Sequence, residues 1–211
     1  DTTGGAIDVF VSGDYAYVTD GASGLAVIDI SDPTNPGTPV YKDTSGDVIG
    51  VYVSGDYAYV ADGISGLAVI NISDPTNPGT PVYEDTTGEA YGVYVSGDYA
   101  YIAVSYSGLA VIDISDPTNP GTPVYEDTAG SAFGVYVSGD YAYVADLDTG
   151  LAVIQVRRRV DVEDPIISNS PSDFTVEAGY TGQNMSWTAT DTNPDTYTIE
   201  LNGTGIVVSS T

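Results

Sequence analysis

The sequence contains no cysteine and no histidine. The first absence excludes disulfide frameworks, thiol nucleophiles and thiolate metal sites. The second removes the usual general base and the commonest zinc ligand. Basic residues are scarce as well: four Lys and Arg stand against 30 Asp and Glu, a formal net charge of −26. A field of that sign repels nucleic acid and anionic lipid surfaces, so neither is expected as a partner. Apolar runs stop at five or six residues, too short for a membrane-spanning helix in this segment.

What remains is a chain rich in turn formers and tyrosine. Apolar residues make up 42% of it, enough to bury a core, and 18 Tyr far outnumber three Phe and one Trp. Asp exceeds Glu by 24 to six, which fits an all-β protein whose turns are capped by Asp side chains.

The dominant feature is an internal repeat. Gly-Asp-Tyr-Ala-Tyr begins at Gly13, Gly55, Gly97 and Gly139, and Gly-Leu-Ala-Val-Ile begins at Gly24, Gly66, Gly108 and Gly150, each spaced by 42 residues. One unit divides into four short strands. In the second unit these are Val51–Val53, Tyr57–Ala61, Leu67–Ile72 and Pro81–Glu84, separated by Ser54-Gly55-Asp56, Asp62-Gly63 and the loop Ser73–Gly79. The prolines in that loop lack the N–H that a paired strand must donate. The third strand is apolar on both faces, with Leu67 and Val69 on one side and Ala68, Ile70 and Ile72 on the other. Such a sheet needs a neighbour on each side, as stacked propeller blades provide. Four strands in each 42 residues is also the propeller spacing, so the expected fold is an all-β propeller with four blades in this chain.

Leu-Ala-Val-Ile-Asp at 25–29 and 109–113, Leu-Ala-Val-Ile-Asn at 67–71 and the Ser-Asp-Pro-Thr-Asn-Pro loop together resemble the LVIVD repeat. The resemblance covers residues 1 to about 156. It implies a β-propeller from an archaeal or bacterial cell-surface protein, and it brings no catalytic motif.

The expected domains are a propeller over 1–156 (units 1–42, 43–84, 85–126 and 127–156), a linker over 157–165 and an Ig-like segment over 166–211. Asp1-Thr2-Thr3-Gly4 aligns with Asp85-Thr86-Thr87-Gly88, the tail of a fourth strand, while the last unit stops after Ile154 without one. We expect sequence upstream of Asp1 to supply a closing strand or whole further blades. Beyond Asp164-Pro165 the strands expected at Ile166-Ile167, Phe174–Val176, Met185–Thr190, Tyr197–Leu201 and Ile206–Ser210 alternate with turns, with Trp187 on the third, resembling the first part of an Ig-like or HYR-like sandwich. That segment falls short of the roughly 100 residues of a complete sandwich, so we expect the native chain, or another copy, to complete it.

Candidate sites follow from where the units differ. Residues 43–84 and 85–126 differ at nine positions, seven of them in the lead-in loop or the loop after the second strand. A propeller places both loops on one face, and this face carries Tyr91, Tyr106, Phe133, Ile49 and Ile64, a set suited to stacking on a sugar or gripping a protein. The alternative is drift at exposed positions after duplication. Asp29, Asp32, Asp113 and Asp116 offer oxygen ligands at short spacing, which suit Ca2+ as a bound cofactor; the alternative is that they cap turns. Arg157, Arg158 and Arg159 are candidates for contact with an acidic surface, between domains or between subunits. Asn71, Asn184 and Asn202 head glycosylation sequons, of which Asn202 at a turn and then Asn184 are preferred over Asn71 within a strand. Carboxylates and tyrosines recurring in every unit argue for structure rather than one asymmetric active site. The sequence reading is a non-catalytic extracellular structural or adhesive protein, as a filament or surface-array subunit. It self-associates or binds other surface proteins or glycans. The alternative is a ligand-binding module that uses the varied loop face.

Overall fold

The computed structural model of the protein describes Thr2, residues 4–156 and four later strands. The chain divides into two compact units, Asp1–Arg158 and Arg159–Thr211.

In the first unit, β1 (Asp8–Ser12), β2 (Tyr15–Thr19), β3 (Leu25–Asp29) and β4 (Val40–Lys42) form one antiparallel sheet in chain order. The second sheet is β5 (Gly50–Ser54), β6 (Tyr57–Ala61), β7 (Leu67–Asn71) and β8 (Val82–Glu84). The third is β9 (Ala90–Ser96), β10 (Tyr99–Val104), β11 (Gly108–Asp113) and β12 (Val124–Glu126). The fourth sheet has three strands, β13 (Ala132–Ser138), β14 (Tyr141–Asp146) and β15 (Gly150–Gln155). Tight Ser-Gly-Asp turns join the first two strands of each sheet, and Gly13, Gly55, Gly97 and Gly139 there all adopt φ between 56° and 59°. A Cβ is disfavoured at that φ, which is why glycine recurs.

Consecutive sheets pack face to face. Each interface takes one face of a blade and the opposite face of the next. Between blades one and two, Tyr17, Leu25 and Val27 meet Val51, Val53, Ala58, Val60, Ala68 and Ile70. Between blades two and three, Tyr59, Leu67 and Val69 meet Val93, Val95, Ala100, Ile102 and Ile112. Between blades three and four, Tyr101 and Leu109 meet Val137, Ala142 and Val144. We call the Tyr-Leu-Val side of a blade its front and the opposite side its back. Both faces of the third strand are therefore core, as its composition demands.

The first strands of successive blades touch in the order β1, β5, β9 and β13. They approach closely because glycine sits at the contact. A Cβ at Gly50 would lie 2.7 Å from the Tyr91 carbonyl oxygen, and one at Gly92 would lie 2.9 Å from that of Phe133. Beside this contact runs an aromatic ladder: Phe10, Tyr52, Tyr94 and Tyr136 follow one another at centroid spacings of 4.8 Å.

In the second unit β16 (Gly179–Thr181) pairs with β17 (Asn184–Ser186), and β18 (Tyr197–Leu201) pairs with β19 (Thr204–Val208), both antiparallel. Of the strands expected here, Tyr197–Leu201 is found as read, and the expected Met185–Thr190 and Ile206–Ser210 overlap β17 and β19. The expected strands at 166–167 and 174–176, with Trp187, lie outside the described residues.

Candidate functional site

The varied loops do share one face, and they are joined across blades. The loop after the second strand of each blade forms a β-bridge to the lead-in of the next: Gly21 to Val48, Gly63 to Ala90 and Ser105 to Ala132. Val48, Ala90 and Ala132 donate their N–H groups to the Gly21, Gly63 and Ser105 carbonyls at 3.2, 2.9 and 2.8 Å. Gly21 and Gly63 hold φ of 55° and 51° there, and Ser105 takes φ of 25° in the third blade.

Beneath the loops lie buried carboxylates that composition alone hides. Asp20, Asp62 and Asp146 are all buried at the end of the second strand or just beyond it. Asp62 accepts the Thr44 hydroxyl at 2.9 Å and the Gly46 N–H at 3.0 Å, and so holds its lead-in loop in place. Asp20 accepts the Gly4 N–H at 2.8 Å and the Tyr41 hydroxyl at 3.2 Å. Asp146 instead caps its own loop through the Asp148 and Thr149 N–H groups. The third blade has Val104 at this place, and Thr86 turns its hydroxyl to the Gly88 carbonyl at 2.8 Å. The pairing of Asp62 with Thr44, eighteen residues apart, leaves no covariation to read among units: the Asp recurs in three, and the Thr is present in all four, including the unit with Val104.

On top of this frame the five predicted ligand-contacting residues fall into neighbouring groups. Ile49 and Ile64 line one open depression of about 410 Å3, shared with Asp47, Gly63 and Glu89. Tyr91 and Phe133 stack in parallel, with centroids 4.2 Å apart and planes 12° apart. The Tyr91 hydroxyl donates to Glu89 Oε2 at 2.5 Å. That bond, with burial, the Glu89 charge and nearby Tyr106, raises the pKa of the Tyr91 hydroxyl. Tyr106 is 81% exposed and Ile64 is 73% exposed, so both are presented to solvent. Chemically this face offers a flat aromatic platform, aliphatic knobs and carboxylates that accept hydroxyl or ammonium hydrogen bonds.

The opposite face carries the proline-rich loops. Asp32, Asp74 and Asp116 each accept the N–H and hydroxyl of a Thr two residues on, with the hydroxyl contacts all at 2.6 Å. Asp113 and Asn71 do the same with Ser115 and Ser73, and Asp29 accepts the Ser31 N–H. These hydrogen bonds hold the carboxyls of Asp29, Asp32, Asp74 and Asp116 below their ordinary range. Each of the four predicted Ca2+ ligands has a carboxylate oxygen in a turn, and among the described residues no three acidic side chains gather to hold a metal ion. Arg157, Arg158, Arg159 and Asn202 lie outside the described residues, and Asn184 begins β17.

Three antiparallel four-stranded sheets and a three-stranded one, stacked front to back with their first strands in sequential contact, define a β-propeller architecture. LVIVD repeats match residues 3–40, 45–81, 87–123 and 129–172, most of the sequence, and the chain belongs to the LVIVD repeat family. No curated protein matches the chain. Among solved structures, it is similar to the computationally designed Ika4 protein, with 9% identity and a TM-score of 0.61, over 74% of this chain and 94% of that one. It is also similar to the computationally designed Ika8 protein, with 11% identity and a TM-score of 0.58, over 72% of this chain and 46% of that one. AztD from Citrobacter koseri matches at 16% identity and a TM-score of 0.48, over 72% of this chain and 44% of that one. The chain thus spans nearly all of Ika4 and under half of the length of Ika8 and AztD.

Proposed function

We propose that this protein is a non-catalytic structural or adhesive component displayed outside the cell, on the surface of an archaeon or bacterium, built for assembly into a filament or surface array. The observation that carries the reading is the use of the recurrent polar groups. Unit after unit, Asp, Thr and Ser side chains close the same turns, as Asp32, Asp74 and Asp116 do with Thr34, Thr76 and Thr118. A group that repeats the same structural duty in successive blades supports a scaffold rather than a single poised reaction centre. The acidic composition suits a protein kept soluble outside the cell, and the Ig-like pattern read in the sequence of residues 166–211 suits tandem display. Electron microscopy of the native protein tests this: ordered filaments or sheets on the cell or in purified material support it, and a wholly intracellular location overturns it.

A second reading has its own observation, the Tyr91–Phe133 stack beside the Ile49–Ile64 depression. In that reading the loop face binds a glycan, with the sugar stacked on the aromatic pair and its hydroxyls on Asp47 and Glu89. Replacing Tyr91, Tyr106 and Phe133 with Ser would then abolish capture on a glycan array while leaving assembly intact. Retained capture by that variant would remove the reading.

A further inference from the structure

The three internal interfaces leave two faces over, the back of the first blade and the front of the fourth. Between them they carry the residue types that the internal interfaces pair front to back. On the first blade, Val9 and Val11 are 57% and 58% exposed, whereas their counterparts Val51 and Val53, Val93 and Val95 are buried. On the fourth blade, Leu151 and Val153 are 65% and 53% exposed, and Tyr143 and Tyr141 are exposed beside them. Their counterparts Leu67, Val69 and Tyr59 are buried. The residue types have not changed; the neighbouring blade is missing and, on the fourth blade, an outer strand as well. Contiguous exposed apolar surface of this kind marks a binding face.

Two further features sit ready at the same edge. A Cβ at Gly134 would meet only Ala145 of its own blade, at 3.8 Å, where Gly50 and Gly92 are held against the next blade's backbone. The space that glycine opens for a following blade is therefore unfilled. The aromatic ladder also ends there on an exposed Tyr136, while Phe10 begins it at the other end. Asp8 stands where later blades have Gly50, but its carboxylate turns forward and accepts the Val51 N–H at 3.0 Å, leaving the back of the first blade clear.

We infer that the front of the fourth blade receives the back of the first blade of a second copy of this chain, and that the reciprocal contact closes a dimeric ring of eight blades. Tyr143, Leu151 and Val153 of one copy would cover Val9 and Val11 of the other, and Tyr136 would stack on Phe10. The occupant follows from continuity with interfaces already made: the same residue types meet front to back three times within the chain. The ring size follows from propeller geometry. Propellers close with four to eight blades, so two copies give the largest common ring and three would exceed it. A head-to-tail contact closes only when its rotation allows, and a two-fold ring meets that condition. The inference goes beyond the surface role proposed above and stands on burial alone, so either can fail without the other.

The test uses the full chain in physiological salt, with mass measured by light scattering during gel filtration. The expected mass is twice the 21.8 kDa of one chain. Leu151→Asp and Val9→Asp each spoil one half of the contact and should each run as monomers with an unchanged circular dichroism spectrum. Mixed together they retain one intact contact, Leu151 of one variant against Val9 of the other, and should again form a complex of two chains. A monomeric wild type overturns the inference and leaves these faces to blades of another sequence. An open ladder of larger species overturns the closed ring. A dimer untouched by either substitution, or variants that fail to complement, overturns the head-to-tail contact.

Discussion

The string Gly-Leu-Ala-Val-Ile folds four times in this chain, and its leucine meets two different surroundings. Leu25, Leu67 and Leu109 are sealed between blades, while Leu151 lies open on the last one. Strand and register against the second strand are the same in all four, but Leu151 lacks the fourth-strand partner that Lys42, Glu84 and Glu126 give the other three. Burial of this side chain thus depends on the outer strand and the following blade, and not on the repeated string alone. The comparison separates what the string itself fixes, strand and register, from what its surroundings supply.

Truncation measures that difference directly. Leu67→Ala should cost about 2–5 kcal/mol, the usual range for a buried leucine. Leu151→Ala, measured in the Val9→Asp background that keeps the chain single, should stay within about 0.5 kcal/mol, as surface changes do. Denaturant unfolding gives both values, and equal costs would show that the fourth blade's front is covered within one chain.

A smaller effect is expected at the inner glycines. Gly92→Ala drives a Cβ toward the Phe133 carbonyl oxygen and should cost about 1–3 kcal/mol by overpacking. Gly134→Ala has room in the single chain and should be near neutral to its stability, yet it should weaken the dimer, which sedimentation equilibrium would read. Near-neutral values for both would show that the first strands tolerate wider spacing than the Gly92–Phe133 approach implies.

Asp62 sharpens a second contrast, between blades that hold their lead-in loop by a carboxylate and the third blade, which does without. Burial pushes its carboxyl up, against hydrogen bonds from Thr44, Gly46 and Ser45 that pull it down. A folded value above the unfolded one means that the folded chain keeps the extra proton. Its contribution to stability therefore grows as pH falls through the raised value, and is complete below the unfolded value of about 3.9. Asp74 and Asp116 run the other way: hydrogen bonds from Thr76 and Thr118 lower their carboxyls, so their contribution is present above about 3.9 and lost on further acidification. Urea unfolding of wild type and Asp62→Asn should show the balance shifting toward wild type between about pH 7 and about pH 4. A constant gap would mean that Asp62 does not titrate in this window.

The smallest expected change is spectroscopic. Burial, with help from the neighbouring Tyr52 and Tyr136 hydroxyls, pushes Tyr94 up to about 12. The neutral phenol is favoured in the fold, so its contribution is whole below the ordinary tyrosine value of about 10 and fades as pH climbs toward the raised one. Ultraviolet titration of wild type against Tyr94→Phe should lose a late-ionising tyrosine, and loss of an early one would place Tyr94 in open water.

Much of this was legible before any coordinates. Two-residue alternation and Gly-Asp turns place Tyr57–Ala61 as found and the other strands of that blade within a residue or two. Asp before Pro, read as a candidate ligand or a turn cap, points its oxygens back to its own turn because the Thr two residues on is within reach. What stayed hidden depends on distant chain. Asp62 looks like a simple Asp-Gly turn, and only the lead-in loop arriving from residues 44–46 buries it. The stacking of Tyr91 on Phe133 likewise joins residues one whole unit apart, and the bridges between loops join positions 27 residues apart. Local pattern sets strands and turns, whereas these contacts are set by the rotation from one blade to the next.

Because one front fits any back, the gene can change length by whole repeats without inventing a surface. An unequal exchange that adds a unit hands the newcomer a matching neighbour on either side at once, and one that deletes a unit lets the flanking blades meet on residues already suited to each other. What such an exchange does disturb is the order of the varied loops, since each bridges only to the blade that follows it. Blade number and loop sequence are therefore separately heritable, the first moving in steps and the second by single substitutions.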